Sequence, residues 1–192
     1  MHAEFATVGR TIDLLTYVAE DVSLGFDRWK DRYTRGPSLY FLVLSGTRFD
    51  SFVDGLGMNR WPIERARVLP DDFTPAVHAA SDVAFDCDGA AVVSADGTFQ
   101  ERMVRVRSTP DHEVPDADYP DWMSAKHLSA FEASTREAVL AAVTLSEENG
   151  RVTVFRDGTY EDRPREELGG RWRVDGDTAD VTPAVAGGYG DE

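Results

Sequence analysis

At 192 residues, the chain has room for one α/β domain with a sizeable core and is short for two. Its 35 acidic against 20 basic residues give a formal net charge of −15, and only Lys30 and Lys126 are lysines. Phosphate repels such a surface, which excludes general binding to nucleic acid or an anionic membrane, and the single cysteine, Cys87, excludes an internal disulfide and a cysteine-rich zinc site.

In chain order, Val8, Ile12, Leu14, Leu15 and Val18 recur near helical spacing and predict an N-terminal amphipathic helix. Ser38 to Leu44 is a short apolar run after Gly36-Pro37 and reads as a buried strand. Phe49, Phe52 and Val53 suggest a short helix closed near Gly55 or Gly57. Val83 to Val93 reads as a strand interrupted by Asp88-Gly89, and Asp96-Gly97 as a hairpin turn that returns Phe99 to Val106 as its partner. Thr109 to Asp121 holds three prolines and five acidic residues, a loop composition. A helix is expected over Ser124 to Ser134 and an interior strand over Ala138 to Leu145. Asn149-Gly150 then turns into a strand from Arg151 to Phe155. From Asp175 the chain has little to bury and is expected to be a disordered acidic tail.

The expected fold class is therefore α/β: a single domain with a twisted mixed β-sheet flanked by helices. Residues 1–80 form a helix and strand part of that domain, 81–174 its core, and 175–192 the tail. No stretch approaches the roughly 20 apolar residues of a membrane span, and no signal-peptide pattern opens the chain, so a cytoplasmic protein is expected. An acidic, lysine-poor surface also suits molar salt, where screening shortens to a few ångströms. A salt-adapted source follows from that.

Three segments carry the chemistry: Asp88-Gly89-Ala90, Met123-Ser124-Ala125-Lys126-His127-Leu128-Ser129-Ala130, and Leu145-Ser146-Glu147-Glu148-Asn149-Gly150. In that order, with about twenty residues between the Lys126-His127 pair and Ser146-Glu147-Glu148, they resemble the diadenylate cyclase family (the DNA-integrity-scanning-type nucleotide-binding domain). Its signatures read D-G-A, M-G-T-R-H-R-A-A and V-S-E-E-T-G. The close resemblance covers roughly Val83 to Phe155 and points to a salt-adapted, archaeal-like member.

The resemblance implies that two ATP condense into cyclic di-AMP, a second messenger, with magnesium or manganese. It also implies a homo-oligomer in which active sites face each other, and no nucleic-acid or membrane partner. Asp88 would be the catalytic carboxylate, working with a metal at the ribose 3′-hydroxyl, and Glu148 a second metal ligand. Gly89, Ala90, Ser124, Lys126, His127, Ser146 and Glu147 would contact nucleotide. Ser124 also fits a helix N-cap, which would aim backbone N–H groups at an anion.

Each residue has a plainer reading. Asp88-Gly89 alone is an ordinary turn, like Asp96-Gly97 or Asp157-Gly158. Ser146-Glu147-Glu148 is a common polar approach to a hairpin, and His127 a capped, half-buried histidine. Asp86 would share a strand face with Asp88, although a solvated edge charge suits it as well. Cys87 reads as a buried thiol, and His2, His78 and His112 as incidental. Trp29, Trp61, Trp122 and Trp172 read as core or interface residues.

The chain departs from the family pattern where Lys126 stands for Arg, Leu128 for a second Arg, and Ser124-Ala125 for Gly-Thr. Lysine cannot make a bidentate fork with phosphate, and leucine brings no charge. Arginines such as Arg105 and Arg107 would then have to reach in from elsewhere. The same departure supports an alternative function, a non-catalytic nucleotide or cyclic-dinucleotide binding module acting as a sensor or partner.

Overall fold

The structure, a computed structural model, describes residues 5–46, 51–69, 73–86, 88–108 and 119–170. Cys87, His2, His112, Trp172, most of the proline-rich loop and the acidic tail lie outside the described residues. The elements run α1 (Phe5–Gly25), β1 (Leu39–Leu44), β2 (Val53–Arg60), α2 (Thr74–Asp86), β3 (Ala91–Ser94), β4 (Arg102–Val106), α3 (Ala125–Ser134), β5 (Val139–Leu145), β6 (Val152–Arg156) and β7 (Thr159–Arg163). A 3-10 turn follows at Arg165–Glu167.

The main sheet has five strands in the order β3-β1-β5-β6-β7. Strand β1 pairs parallel with β3 and antiparallel with β5, so the sheet is mixed as expected. All six residues of β1 are buried, because both of its faces are covered. Leu39, Phe41 and Val43 enter one apolar cluster with Leu15, Val18, Ala79 and Ala80 of helices α1 and α2. Tyr40, Leu42 and Leu44 enter a second cluster with Ala130, Phe131 and Ala133 of α3. Alternation of side chains along one strand thus divides the core into two layers.

Several expectations are corrected. Thr74–Asp86 is a helix where a strand was expected to begin at Val83. Ala76, Ala79, Ala80, Val83 and Ala84 are its buried residues, a spacing of 3, 4, 7 and 8 that defines one helical face. Pro75 sits in its first turn, where a missing N–H costs nothing. Asp86 ends this helix, so it shares no strand face with Asp88.

Val53–Arg60 is strand β2, not a helix; its two glycines give it little intrinsic preference, and pairing with β4 holds it. The Asp96-Gly97 turn forms: Gly97 N–H donates to the Ser94 carbonyl at 2.8 Å with Gly97 at φ +84. The returning chain bridges Val93 through Phe99 and Ala90 through Val104, while the continuous ladder of β4 is with β2 in a separate two-stranded sheet.

Trp61 joins the two sheets. It is fully buried, stacks on Phe99 with centroids 4.1 Å apart, and donates its indole N–H to the Ala66 carbonyl at 2.7 Å. Phe41 of β1 meets the same ring edge-on at 5.8 Å. Trp61→Ala should therefore lower the unfolding free energy by about 3–5 kcal/mol, and Trp61→Phe by clearly less, as measured by denaturant unfolding.

Candidate functional site

The three motifs converge at one end of the main sheet. Register sets this: Leu39 of β1 pairs with Leu145 of β5, and Leu145 in turn with Val152 of β6. The start of β1, the start of β3 and the β5-β6 hairpin therefore share an end, and the N-terminus of α3 comes down beside them. Ser146 does follow the C-terminal end of β5, as expected, but β1 and β3 offer their N-terminal ends here. The location thus differs from the usual ligand crevice of parallel sheets.

Two adjoining clefts meet at Asp88. One, about 250 Å³, lies between α3 and the small sheet and includes Tyr40, Gly89, Arg105, Lys126 and Ser129. The other, about 190 Å³, runs towards Arg35, Asp86 and Glu147. A third hollow, about 180 Å³, continues from Lys126 along Ser124, Ser146, Glu147 and Glu148. Ser38 and Lys126 thread them together into one groove.

Asp88 is exposed and precedes β3, and its carbonyl accepts a hydrogen bond from Asn59 Nδ2 at 2.9 Å. Gly89 has φ +97, and a side chain there would strike Leu56 Cδ1 and the Val104 carbonyl. Only glycine fits, and the reason is packing of the motif against the small sheet, where a ligand's approach was expected. Ala90 is fully buried in the second apolar cluster and exchanges both backbone hydrogen bonds with Val104 at 2.7 and 2.9 Å. Its side chain does not reach the groove.

Ser124 caps α3 as expected. Lys126, in the first turn, donates from Nζ to Ser38 Oγ and to the Leu145 carbonyl at 3.2 Å. Burial lowers its pKa to about 8, although Glu147, Asp88 and Glu148 pull it back up. Two of its three N–H groups are thus committed to protein, at the junction of β1 and β5.

His127 turns the other way, which corrects its expected place at the nucleotide. It is 1% exposed and packs edge-on against Trp122, with Phe155 behind. Nδ1 accepts the Ser124 backbone N–H at 3.1 Å, and Ser124 Oγ lies 2.9 Å from the same nitrogen. A backbone N–H can only donate, so Nδ1 is bare and Nε2 carries the proton. Burial, with Lys126 and Arg151 nearby, lowers its pKa to about 4. The histidine closes a capping box in the position usually held by Glu or Gln.

Ser146 is buried, and its Oγ accepts the Glu148 N–H at 3.4 Å within the turn. Glu147 gives its carbonyl to the Gly36 N–H at 3.0 Å, and Ser23 Oγ donates to the Gly150 carbonyl at 2.6 Å. The acidic hairpin is therefore fastened to the end of α1 and to the segment before β1. Glu148 is exposed.

Asp88, Glu147 and Glu148 are hard oxygen donors, and Mg²⁺ or Mn²⁺ commonly takes one or two protein carboxylates plus substrate phosphate. The donor set fits such an ion. Among the described residues no group of three or more His, Cys, Asp or Glu stands close enough to hold one unaided. Leu128 is partly exposed and brings no charge to the helix start, whereas Arg105 does line the groove; Arg107 instead faces Asp54 at 3.5 Å. Motif reading missed Ser38 and Tyr40, although a tyrosine within an aliphatic buried strand signals a hydroxyl in need of a partner.

The fold and groove define an α/β domain with an acidic, lysine-bearing site at one end of a mixed sheet. No family model matches the chain, and no curated protein matches it in sequence. Solved structures do match its fold. A hypothetical membrane-spanning protein from Bacillus cereus superposes with TM-score 0.53 at 12% identity, covering 79% of this chain and 62% of the other. A double-cysteine variant of DacA from Staphylococcus aureus gives TM-score 0.47 at 14% identity, covering 82% of this chain and 89% of that one. The chain thus spans 62% of the length of the Bacillus cereus protein, and likeness at such identity concerns the fold alone. Among the described residues no helix is long and apolar enough to cross a membrane.

Two pH responses follow. His127 has a folded pKa below its unfolded value, so the unfolded chain binds more protons between pH 6.5 and about 4. Its contribution is fully present above pH 6.5 and is lost as pH falls through that window, by roughly 3 kcal/mol at most. Denaturant unfolding of the wild type and His127→Asn at pH 7 and pH 4.5 should show the smaller pH dependence in the variant. Lys126 also has a lowered pKa, so between about 8 and 10.5 its titration makes the fold more stable as pH rises. As pH rises past about 8 the groove loses the charge of Lys126. Affinity for a phosphate-bearing ligand should fall as pH rises past about 8 and stay level in Lys126→Arg, as measured by calorimetric titration.

Proposed function

We propose that the chain is a diadenylate cyclase, joining two ATP into cyclic di-AMP with release of two pyrophosphates. The observation that supports this reading is the convergence around one groove of three separated segments, of which Asp88-Gly89-Ala90 and Ser146-Glu147-Glu148 match family signatures and the one bearing Lys126 matches in part. Segments that matched by accident would have no reason to meet.

In each half of the reaction a ribose 3′-oxygen bonds to the α-phosphorus of the other ATP. The bond from that phosphorus to the β-phosphate bridging oxygen breaks, and the hydroxyl proton leaves. Asp88, exposed at the mouth of the groove, is the group suited to receive that proton. Magnesium or manganese, held by Asp88 and Glu148 together with phosphate oxygens, would supply charge stabilisation at the reacting phosphate. Lys126 and the backbone N–H groups at the start of α3 would face the triphosphate, as cations and helix N-termini do for anions. Little covalent work falls to the protein, so positioning dominates. Each ATP needs the other's hydroxyl, and two copies facing across a two-fold axis would supply it.

Asp88 is held by a hydrogen bond through its backbone carbonyl, so Asp88→Asn should keep the fold. The test is incubation with ATP and Mg²⁺ or Mn²⁺ in molar potassium chloride, with mass spectrometry for cyclic di-AMP. Wild type should yield product, and Asp88→Asn at least about 100-fold less. Nucleotide binding without product would instead establish the binding-module alternative, and neither binding nor product would overturn both.

A further inference from the structure

The cleft between α3 and the small sheet is lined by a tyrosine with a buried hydroxyl. Tyr40 of β1 is 7% exposed, and its Oη, shut off from solvent with Ser129 as its polar neighbour, makes no well-formed hydrogen bond within the protein. Burial pushes its ionisation far above the ordinary phenol range, against a small opposing pull from Ser129. The group therefore stays a neutral O–H, and a buried O–H without a partner is costly enough that natural sites seldom keep one idle.

Across the cleft stands Arg105 of β4. Its side chain is 71% exposed, and its ion-pair contact to Asp54 Oδ2 is loose at 3.8 Å. Lys126 forms a further wall with two donors already committed. Tyr40, Ser129, Lys126 and Arg105 thus offer hydroxyl, ammonium and guanidinium donors to one space, in a protein of net charge −15. Concentrated donors and the scarce positive charge suit an acceptor-rich anion, and a guanidinium fork suits phosphate.

We propose that Tyr40 and Arg105, together with Lys126, hold the triphosphate chain of the nucleotide. The small β2-β4 sheet thereby supplies a phosphate ligand that the start of α3, with Leu128, lacks. This rests on the nucleotide reading of the groove given above. Tyr40 reaches the site from an interior strand of the main sheet, so its hydroxyl is fixed by the core, whereas Arg105 is free to swing in with the ligand.

The test is calorimetric titration of the intact chain with ATP, inorganic tripolyphosphate and adenosine, each with Mg²⁺, at low and at molar potassium chloride. Arg105→Gln should weaken ATP and tripolyphosphate at least about tenfold, and Tyr40→Phe about threefold or more, while adenosine is unchanged in both. Thermal unfolding of both variants checks that the fold is kept; Tyr40→Phe retains the buried ring, and Arg105 is exposed. Unchanged tripolyphosphate affinity in both variants, or no tripolyphosphate binding by the wild type, overturns the proposal. The cyclase assay separates this idea from the one it rests on. Arg105-dependent tripolyphosphate binding without cyclic di-AMP would sink the cyclase and leave the phosphate site standing. Cyclic di-AMP formation with an unaltered KM for ATP in both variants would do the reverse.

Discussion

Burial of β1 on both faces is the constraint from which the rest of the molecule follows. A strand with no polar face to offer water must be covered above and below, and here α1 and α2 take one side and α3 the other. Its central place also fixes the site. With β3 parallel on one edge and β5 antiparallel on the other, the register carries Ser38, Asp88 and Ser146 to a common end of the sheet. Tyr40 is the exception within β1, a polar atom placed in the core layer beneath the groove.

The groove brings scarce positive charge in among carboxylates. Lys126, one of two lysines in the sequence, is placed where burial works against its charge and three carboxylates work for it. A partly buried cation beside acidic groups holds a proton less tightly than a surface lysine, and it is poised to gain from an arriving anion. Such placement costs stability at neutral pH, which is common where a site needs a charge that packing alone would not choose. The hairpin of Glu147 and Glu148 is held by hydrogen bonds from Gly36 and Ser23, so the carboxylates sit on a braced turn.

A sequence motif mixes residues of different purpose, and the structure separates them. Gly89 is required by Leu56 and the Val104 carbonyl, Ala90 by the second core layer, and His127 by the cap of α3. Asp88, Lys126, Glu147 and Glu148 face the groove. Residues adjacent in sequence, such as Lys126 and His127, point about 100° apart around a helix turn, so one meets the groove while its neighbour meets Trp122 and Phe155.

Local pattern alone determined α1, β1, the capped start of α3, and the β5-β6 hairpin at Asn149-Gly150, because periodicity, an N-cap and a turn dipeptide act over a few residues. The helical spacing of Ala76, Ala79, Ala80, Val83 and Ala84 was equally local, but the apolar run from Val83 obscured it. The mixed sheet was legible from hairpins standing beside strands that need helical crossovers. Tertiary structure alone decided that Val53–Arg60 is a strand and that β4 forms its ladder with it. A glycine-bearing segment has little preference of its own and takes the state its partner's hydrogen bonds reward. Tertiary structure also decided which motif residues meet, added Ser38 and Tyr40 to them, and chose Arg105 over Arg107 for the groove wall. Such neighbours are set by strand register and layer packing between residues far apart in the chain, and no local rule acts over that distance.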